Sequence, residues 1–254
     1  MPNSHKTLER LVQNLELRAE LSEEDRRAIL DLPFTTRTME AASYLVREGE
    51  PPQQCGVLLS GFAFRQKLTG DGDRQIVALH LPGEAVDFQN IFLDVADHNV
   101  QMLTRGEVAF VHRDAIRRLA DARPAVSHAI FINTLVDASI FREWVLNVGR
   151  RDGRSRTAHV LCEFAIRLNA VGLAEHYGYD LPMTQEQLAD TLGMTPVHVN
   201  RILKSLEADH LIARSKRKIS FPDWERLREV ADFNERFLHL EHHRAKTAMQ
   251  MSQP

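Results

Sequence analysis

The residues best suited to do chemistry cluster between Thr184 and Glu207, and the chemistry they suit is recognition rather than bond making. Arg201 carries a fork of N–H donors that matches guanine O6 and N7. Asn200 carries an amide that matches adenine, and His198 a ring suited to a base acceptor or a phosphate. With Val197 and Lys204 they occupy the positions left outward when Val199, Ile202 and Leu203 turn inward on one helix. Leu188, Leu192 and Leu206 fill the core beneath. Ala189 is the small residue needed where two helices cross, and Gly193 tolerates the positive φ of a tight turn. Thr184 and Thr195 stand at N-cap positions, with Gln185 opening the first helix and Pro196 the second, where its missing N–H costs nothing. The spacing predicts a helix-turn-helix whose second helix, 195–207, enters the DNA major groove while the first touches the backbone. The N–H groups following Thr184 and Thr195 suit phosphates. After Leu211 and Ile212, residues 213–220 read as a hairpin wing whose Arg214, Lys216, Arg217 and Lys218 add backbone contacts that carry no sequence information.

Such a motif needs elements to carry it. A helical opening at 8–17, then a helix capped by Ser22 with Asp25 three residues on, gives way near Pro33 to short segments separated by Gly and Pro. Turn signals recur at 48–52, 60–61, 69–73, 82–84 and 105–106. The β-branched, apolar runs 57–59, 75–81 and 107–111 between them predict the strands of a small barrel or roll. From Pro124 to Arg150 the period becomes helical. Phe131, Ala138, Phe141, Val145 and Val148 form a seam suited to a two-chain coiled coil, so this is the expected dimer interface. The expected organisation is α+β: helices and β-roll in 1–118, a long dimerisation helix in 119–150, a winged helix-turn-helix in 151–222 and an appended helical tail in 223–254.

Composition bounds the alternatives. The chain has 254 residues, 43% hydrophobic and 26% charged, which excludes disorder and collagen. Two lone cysteines, Cys55 and Cys162, supply neither a disulfide framework nor a four-thiolate cluster, and point to a reducing compartment. A polar N-terminus and the lack of an unbroken apolar run of about 20 residues predict a cytoplasmic protein with no membrane contact. The formal net charge is −3, yet between Arg150 and Ser220 11 Lys/Arg face 8 Asp/Glu, a local excess that fits nucleic acid. No nucleophile elbow, P-loop, HExxH or dinucleotide fingerprint supports an enzyme. A competing reading is a signalling module whose winged helix meets protein instead of DNA.

With the β-roll texture, the turn Pro82-Gly83-Glu84, the long helix, and Val199, Arg201, Ile202, Leu203, Leu206 and Glu207 followed by Leu211-Ile212, the chain resembles the Crp/Fnr family of transcription regulators. The resemblance implies a cyclic-nucleotide-binding-like double-stranded β-roll, a dimerisation helix and a winged helix. It also implies a homodimer on a two-fold symmetric operator, with RNA polymerase as a further partner. Arg201 falls on the family's guanine-reading arginine, while Val197 replaces a glutamate usual near it. Nucleotide-binding members hold the cyclic phosphate with a Gly-Glu followed by an arginine. Here Gly83-Glu84 is present, but no Lys or Arg occurs from Gln75 through Thr104, and His98-Asn99-Val100-Gln101 stands where the arginine is expected. A buried phosphodiester without a cation is costly. The expected pocket, built on Gly83, Glu84 and Asn99, therefore takes an unidentified small-molecule effector rather than cyclic AMP. The oxygen-sensing branch's cysteine cluster has no counterpart before Cys55. His80 or Cys55 as haem ligands, and His239, His242 and His243 as zinc ligands, are weaker readings than packing and a solvated face. No cofactor or metal is expected.

Overall fold

The computed structural model describes residues 8–174 and 177–240, and these form two compact units. One comprises the described residues up to Lys67 with Ala78–Ala138, the other Leu68–Val77 with Ser139–Leu240.

The first unit is built on two four-stranded sheets. One has the order β1 (Phe34–Met39), β8 (Gly106–His112), β3 (Gln54–Leu58), β6 (Ala85–Val86). The other has the order β2 (Tyr44–Val46), β7 (Asn99–Met102), β4 (Ala63–Leu68), β5 (Arg74–His80). β8 pairs antiparallel with both β1 and β3, and its run Val108-Ala109-Phe110-Val111 is apolar without alternation because both faces are covered. Val108 and Phe110 point between the sheets, against Leu58, Ala63, Val86, Val100 and Met102. Ala109 and Val111 point the other way, with Cys55 and Val57, into a helical layer. That layer comprises α1 (Glu9–Glu16), α2 (Glu23–Leu30), α3 (Arg113–Ala122) and the start of α4 (Pro124–Arg150). Ser22 caps α2 as the sequence predicts. Its Oγ accepts from Asp25 N at 3.2 Å and Asp25 Oδ2 accepts from Ser22 N at 3.1 Å, and the Ser22 hydroxyl holds the Asp25 carboxyl below its usual range. At Gly106 a Cβ would lie 2.2 Å from the Ser60 carbonyl oxygen, so only glycine lets the turns at 60–61 and 105–106 meet.

Helix α4 begins at Pro124, since Arg123 is extended (φ −129°, ψ 92°) and 119–122 belong to α3. Proline suits a first helical turn. Against the expectation from the sequence, α4 is long and apolar enough, by length and composition alone, to cross a membrane. Its apolar content is spent in two other ways. Val126, Ala129 and Ile130 enter the core of the first unit, and Phe131, Leu135, Val145 and Leu146 are left exposed.

The second unit holds α5 (Gly153–Ala170), β9 (Tyr179–Asp180), α6 (Gln185–Leu192), α7 (Pro196–Ala208), β10 (Ala213–Ser215), β11 (Lys218–Ser220) and α8 (Trp224–Val230), with a 3-10 turn at Glu235–Leu238. The strands form one small sheet, β10-β11-β9. Asp152 caps α5, its Oδ1 accepting from Arg154 N and Ser155 N at 2.9 Å each. The expected helical tail begins with α8 but breaks at Asp232 and again at His239, which take positive φ. Instead Phe233 and Phe237 pack on the fully buried ring of His159, at 5.0 and 5.6 Å between centroids. His159 Nε2 lies 3.1 Å from Glu143 Oε1, which also accepts from Arg151 at 2.7 Å. His159 first and Arg151 second hold the Glu143 carboxyl below its usual range, against the opposing effect of burial. His242 and His243 lie outside the described residues.

Candidate nucleic-acid interface and sensor interior

The interface is built from the second unit's core outward. Leu188, Ala189, Leu192, Val199, Ile202, Leu203 and Leu206 are buried, so the inner faces predicted for α6 and α7 are those observed. Ala189 is 2% exposed, and the turn after α6 closes with Gly193 in the left-handed region (φ 61°, ψ 42°), Met194 N donating to Ala189 O at 3.0 Å. Thr184 Oγ1 accepts from Gln187 N at 3.1 Å and Gln187 Oε1 accepts from Thr184 N at 2.9 Å, a reciprocal cap on α6. Thr195 Oγ1 accepts from His198 N at 3.3 Å, with Pro196 in the first turn of α7. Both helices thus start where capping chemistry places them, and burial of Val199, Ile202, Leu203 and Leu206 fixes the rotation of α7 about its axis.

That rotation presents Val197, Arg201 and Lys204 as exposed side chains and leaves His198 and Asn200 half-buried; Gln185 is exposed at the start of α6. Arg201 Nη2 lies 3.2 Å from His198 Nδ1, so its guanidinium runs back toward the first turn of the helix. In the wing, Lys216 and Arg217 make the turn, Lys216 at φ 56°, and Lys216 and Lys218 are exposed. Arg217 is exposed but donates to Pro182 O at 3.0 Å. Arg214 is turned inward to Glu207 Oε2 at 2.6 Å, and this bond is the main cause of a Glu207 carboxyl held below its usual range.

The basic excess of this segment is therefore partly structural. Arg154 donates to Ser205 Oγ at 2.6 Å and to Asp209 Oδ2 at 2.5 Å, bracing the far end of α7. Arg156 donates to Leu192 O at 2.7 Å, Asn147 O at 3.1 Å and Arg151 O at 3.0 Å, satisfying carbonyls at the ends of α6 and α4. The sequence reading counts these arginines in the local basic excess that fits nucleic acid. Nothing in their spacing marks them as braces, since i and i+2 do not share a helix face and their partners lie far along the chain. Also unread was the tip of the β4–β5 hairpin, where Arg74 Nε donates to Asp190 Oδ2 of α6 at 2.7 Å and Gln75 Nε2 to Thr191 O at 3.2 Å.

The roll's interior holds a second polar constellation. Asp87, 3% exposed and in the left-handed region (φ 64°), forms an ion pair with buried Arg65 of β4. Asn90 Nδ2 donates to its Oδ2 at 3.3 Å, and His98 Nε2 lies 2.6 Å from the same oxygen. His98 Nδ1 lies 2.6 Å from Asp97 Oδ1. Burial disfavours ionisation of Asp87, but Arg65 and then His98 outweigh it and hold the carboxyl well below its usual range. So the cation missing from 75–104 is supplied by a different strand, and it is already matched by a carboxylate. Of the predicted pocket residues, Gly83 takes φ 98° in its turn, Glu84 Oε2 accepts from Leu81 N at 3.2 Å, and Asn99 Oδ1 accepts from Glu48 N at 3.0 Å. Each fixes a different stretch of backbone. Cys55 and Cys162 are buried, and burial raises both thiols.

A two-sheet roll, a long helix and a winged helix-turn-helix with a polar, basic exposed face define a DNA-binding regulator with a sensor domain. Residues 36–123 match the cyclic nucleotide-binding domain and residues 155–230 the Crp-like helix-turn-helix domain. The chain is 30% identical over 199 residues to the transcriptional activator protein FnrL of Cereibacter sphaeroides, covering 77% of this chain and 79% of that one. It is 27% identical over 175 residues to the nitrogen fixation regulation protein FixK of Azorhizobium caulinodans, covering 68% and 70%. The solved structure of FixK2 from Bradyrhizobium japonicum shares the fold, with a TM-score of 0.72 at 24% identity over 78% of this chain and 98% of that one. The protein belongs to the Crp/Fnr family and is a transcriptional regulator of that type.

Proposed function

We propose that the protein acts as a cytoplasmic homodimer on a two-fold symmetric DNA site, in concert with RNA polymerase, by binding and not by catalysis. Arg201 grips guanine O6 and N7. Asn200, His198 and Lys204 contact neighbouring bases or phosphates, the first turns of α6 and α7, with Thr184, Gln185 and Thr195, bind phosphates, and Lys216, Arg217 and Lys218 hold the flanking backbone. The observation that carries this reading is the face of α7, where outward polar groups sit over a fully packed inner face. Phe131 and Val145 exposed on α4, with Ala138, Phe141 and Val148 half-buried beside them, support pairing of two chains along that helix, and Leu135 and Leu146 extend the stripe. The ion pair of Arg65 with Asp87 supports an effector other than a cyclic nucleotide, because a phosphate would have to displace a buried carboxylate.

Selection of bound sequences from a random duplex library, with and without cyclic AMP, tests the reading. The expected outcome is a palindromic site, its halves about one helical turn apart, enriched without nucleotide. Enrichment only with cyclic AMP overturns the effector reading, and no enrichment under either condition overturns the DNA reading. Val145→Glu should give monomers by analytical ultracentrifugation; an intact dimer would remove α4 from the interface.

A further inference from the structure

At 81% exposure, Val197 stands out as a large apolar side chain left almost wholly to solvent, one turn before Arg201 near the start of α7. The helix has inner positions for valine and uses one at Val199, which is completely buried. Residues i and i+4 share a helix face, so Val197 stands beside Arg201, whose guanidinium already reaches back to His198 in the same turn. Valine has no donor or acceptor, so it contributes nothing to a phosphate or to a base heteroatom. On the major-groove edges of the four base pairs the apolar group on offer is the C5-methyl of thymine. A β-branched side chain in a helix is held to essentially one χ1 rotamer, so its two methyls are presented with little ordering cost. Four residues of helix advance about 6 Å, fewer than two base-pair steps of about 3.4 Å each.

Resting on the DNA-binding reading above, we infer that Val197 determines specificity by packing against a thymine methyl within two base pairs of the guanine read by Arg201. The preferred half-site then carries a thymine whose methyl, and not its hydrogen-bonding edge, is recognised at that position.

Replacing each thymine of the selected duplex in turn by uracil removes the methyl and leaves every hydrogen-bonding group in place. With the full-length protein, one uracil substitution near the guanine should weaken binding about fourfold, the worth of one buried methyl-sized group. Val197→Ala should bring the thymine-to-uracil ratio at that position toward one, and Val197→Ile should retain it. Because the side chain is exposed, both variants keep the fold. Equal binding of thymine and uracil at every position by the unaltered protein overturns the inference while leaving the DNA reading intact. Undiminished discrimination in Val197→Ala assigns the methyl to another side chain and overturns it too. A library from which nothing is enriched overturns the DNA reading and this inference together.

Discussion

The interior of the roll and the outer face of α7 hold the same three kinds of side chain and use them in opposite ways. Arg65, His98 and Asn90 converge on the Asp87 carboxylate and are buried with it. Arg201, His198 and Asn200 gather on one turn of helix with no carboxylate among them, Arg201 exposed and the other two half-buried. Enclosed charge must be matched inside the protein, since an unpartnered ion in a low-dielectric interior is costly. Exposed charge is matched by water and can be handed to another molecule with little change in folding energy. The first set is therefore part of what holds the roll together, and the second is available for recognition. The same contrast divides the basic residues of the second unit, where Arg154, Arg156 and Arg214 brace helices while Arg201, Lys204, Lys216 and Lys218 reach solvent.

The contrast breaks first, if it is wrong, at Asp87. Asp87→Ala should cost about 3–5 kcal/mol in urea unfolding, because it removes the buried carboxylate that meets the Arg65 guanidinium; a loss under about 1 kcal/mol would mean that the cluster is not a structural one. Since the Asp87 carboxyl is held below its usual range in the folded protein, its stabilisation is fully present above about pH 4 and is lost as pH falls through the depressed value. The unfolding midpoint of Asp87→Asn should accordingly lose part of the acid sensitivity of the unaltered protein. A smaller effect, and on a different quantity, is expected at Arg201. Arg201→Ala should leave unfolding within about 0.5 kcal/mol and weaken the selected site by about 1–3 kcal/mol, with base preference relaxed at one position only. A uniform loss over all sequences would place Arg201 on phosphate. Smallest of all, Lys218→Ala should weaken every duplex alike and reduce the slope of log affinity against log salt by about 0.9; a change confined to one sequence would contradict its role on the backbone.

Much of the local structure was legible because it is written in local chemistry. N-caps at Ser22, Thr184 and Thr195, the positive-φ turn at Gly193 and the inward set Val199, Ile202 and Leu203 depend on residues within a turn or two of one another, and each appears where its spacing puts it. The runs 57–59, 75–81 and 107–111 were legible as strands from β-branched residues between turns, and β3, β5 and β8 hold all of them but Leu59 and Leu81. The exposed apolar residues of α4 were read only in part. A heptad count names Phe131 and Val145 but passes over Leu135 and Leu146, whose exposure depends on which side of the helix the neighbouring elements cover.

The short edge strand β9 and the 3-10 turn of the tail carried no periodic signal, being too brief for one. Amino-acid order by itself determined the helices α2, α4, α6 and α7, the strands β3, β5 and β8, and which face of α7 is inward, since propensity, capping and periodicity act over a few residues. Only the tertiary structure decided which charges are spent inside the protein. Arg65 meets Asp87 across 22 positions, and Arg154 meets Asp209 across 55. A charged side chain reads the same in a sequence whether or not a distant strand delivers its partner, and the cost of burying it is settled only when that partner arrives.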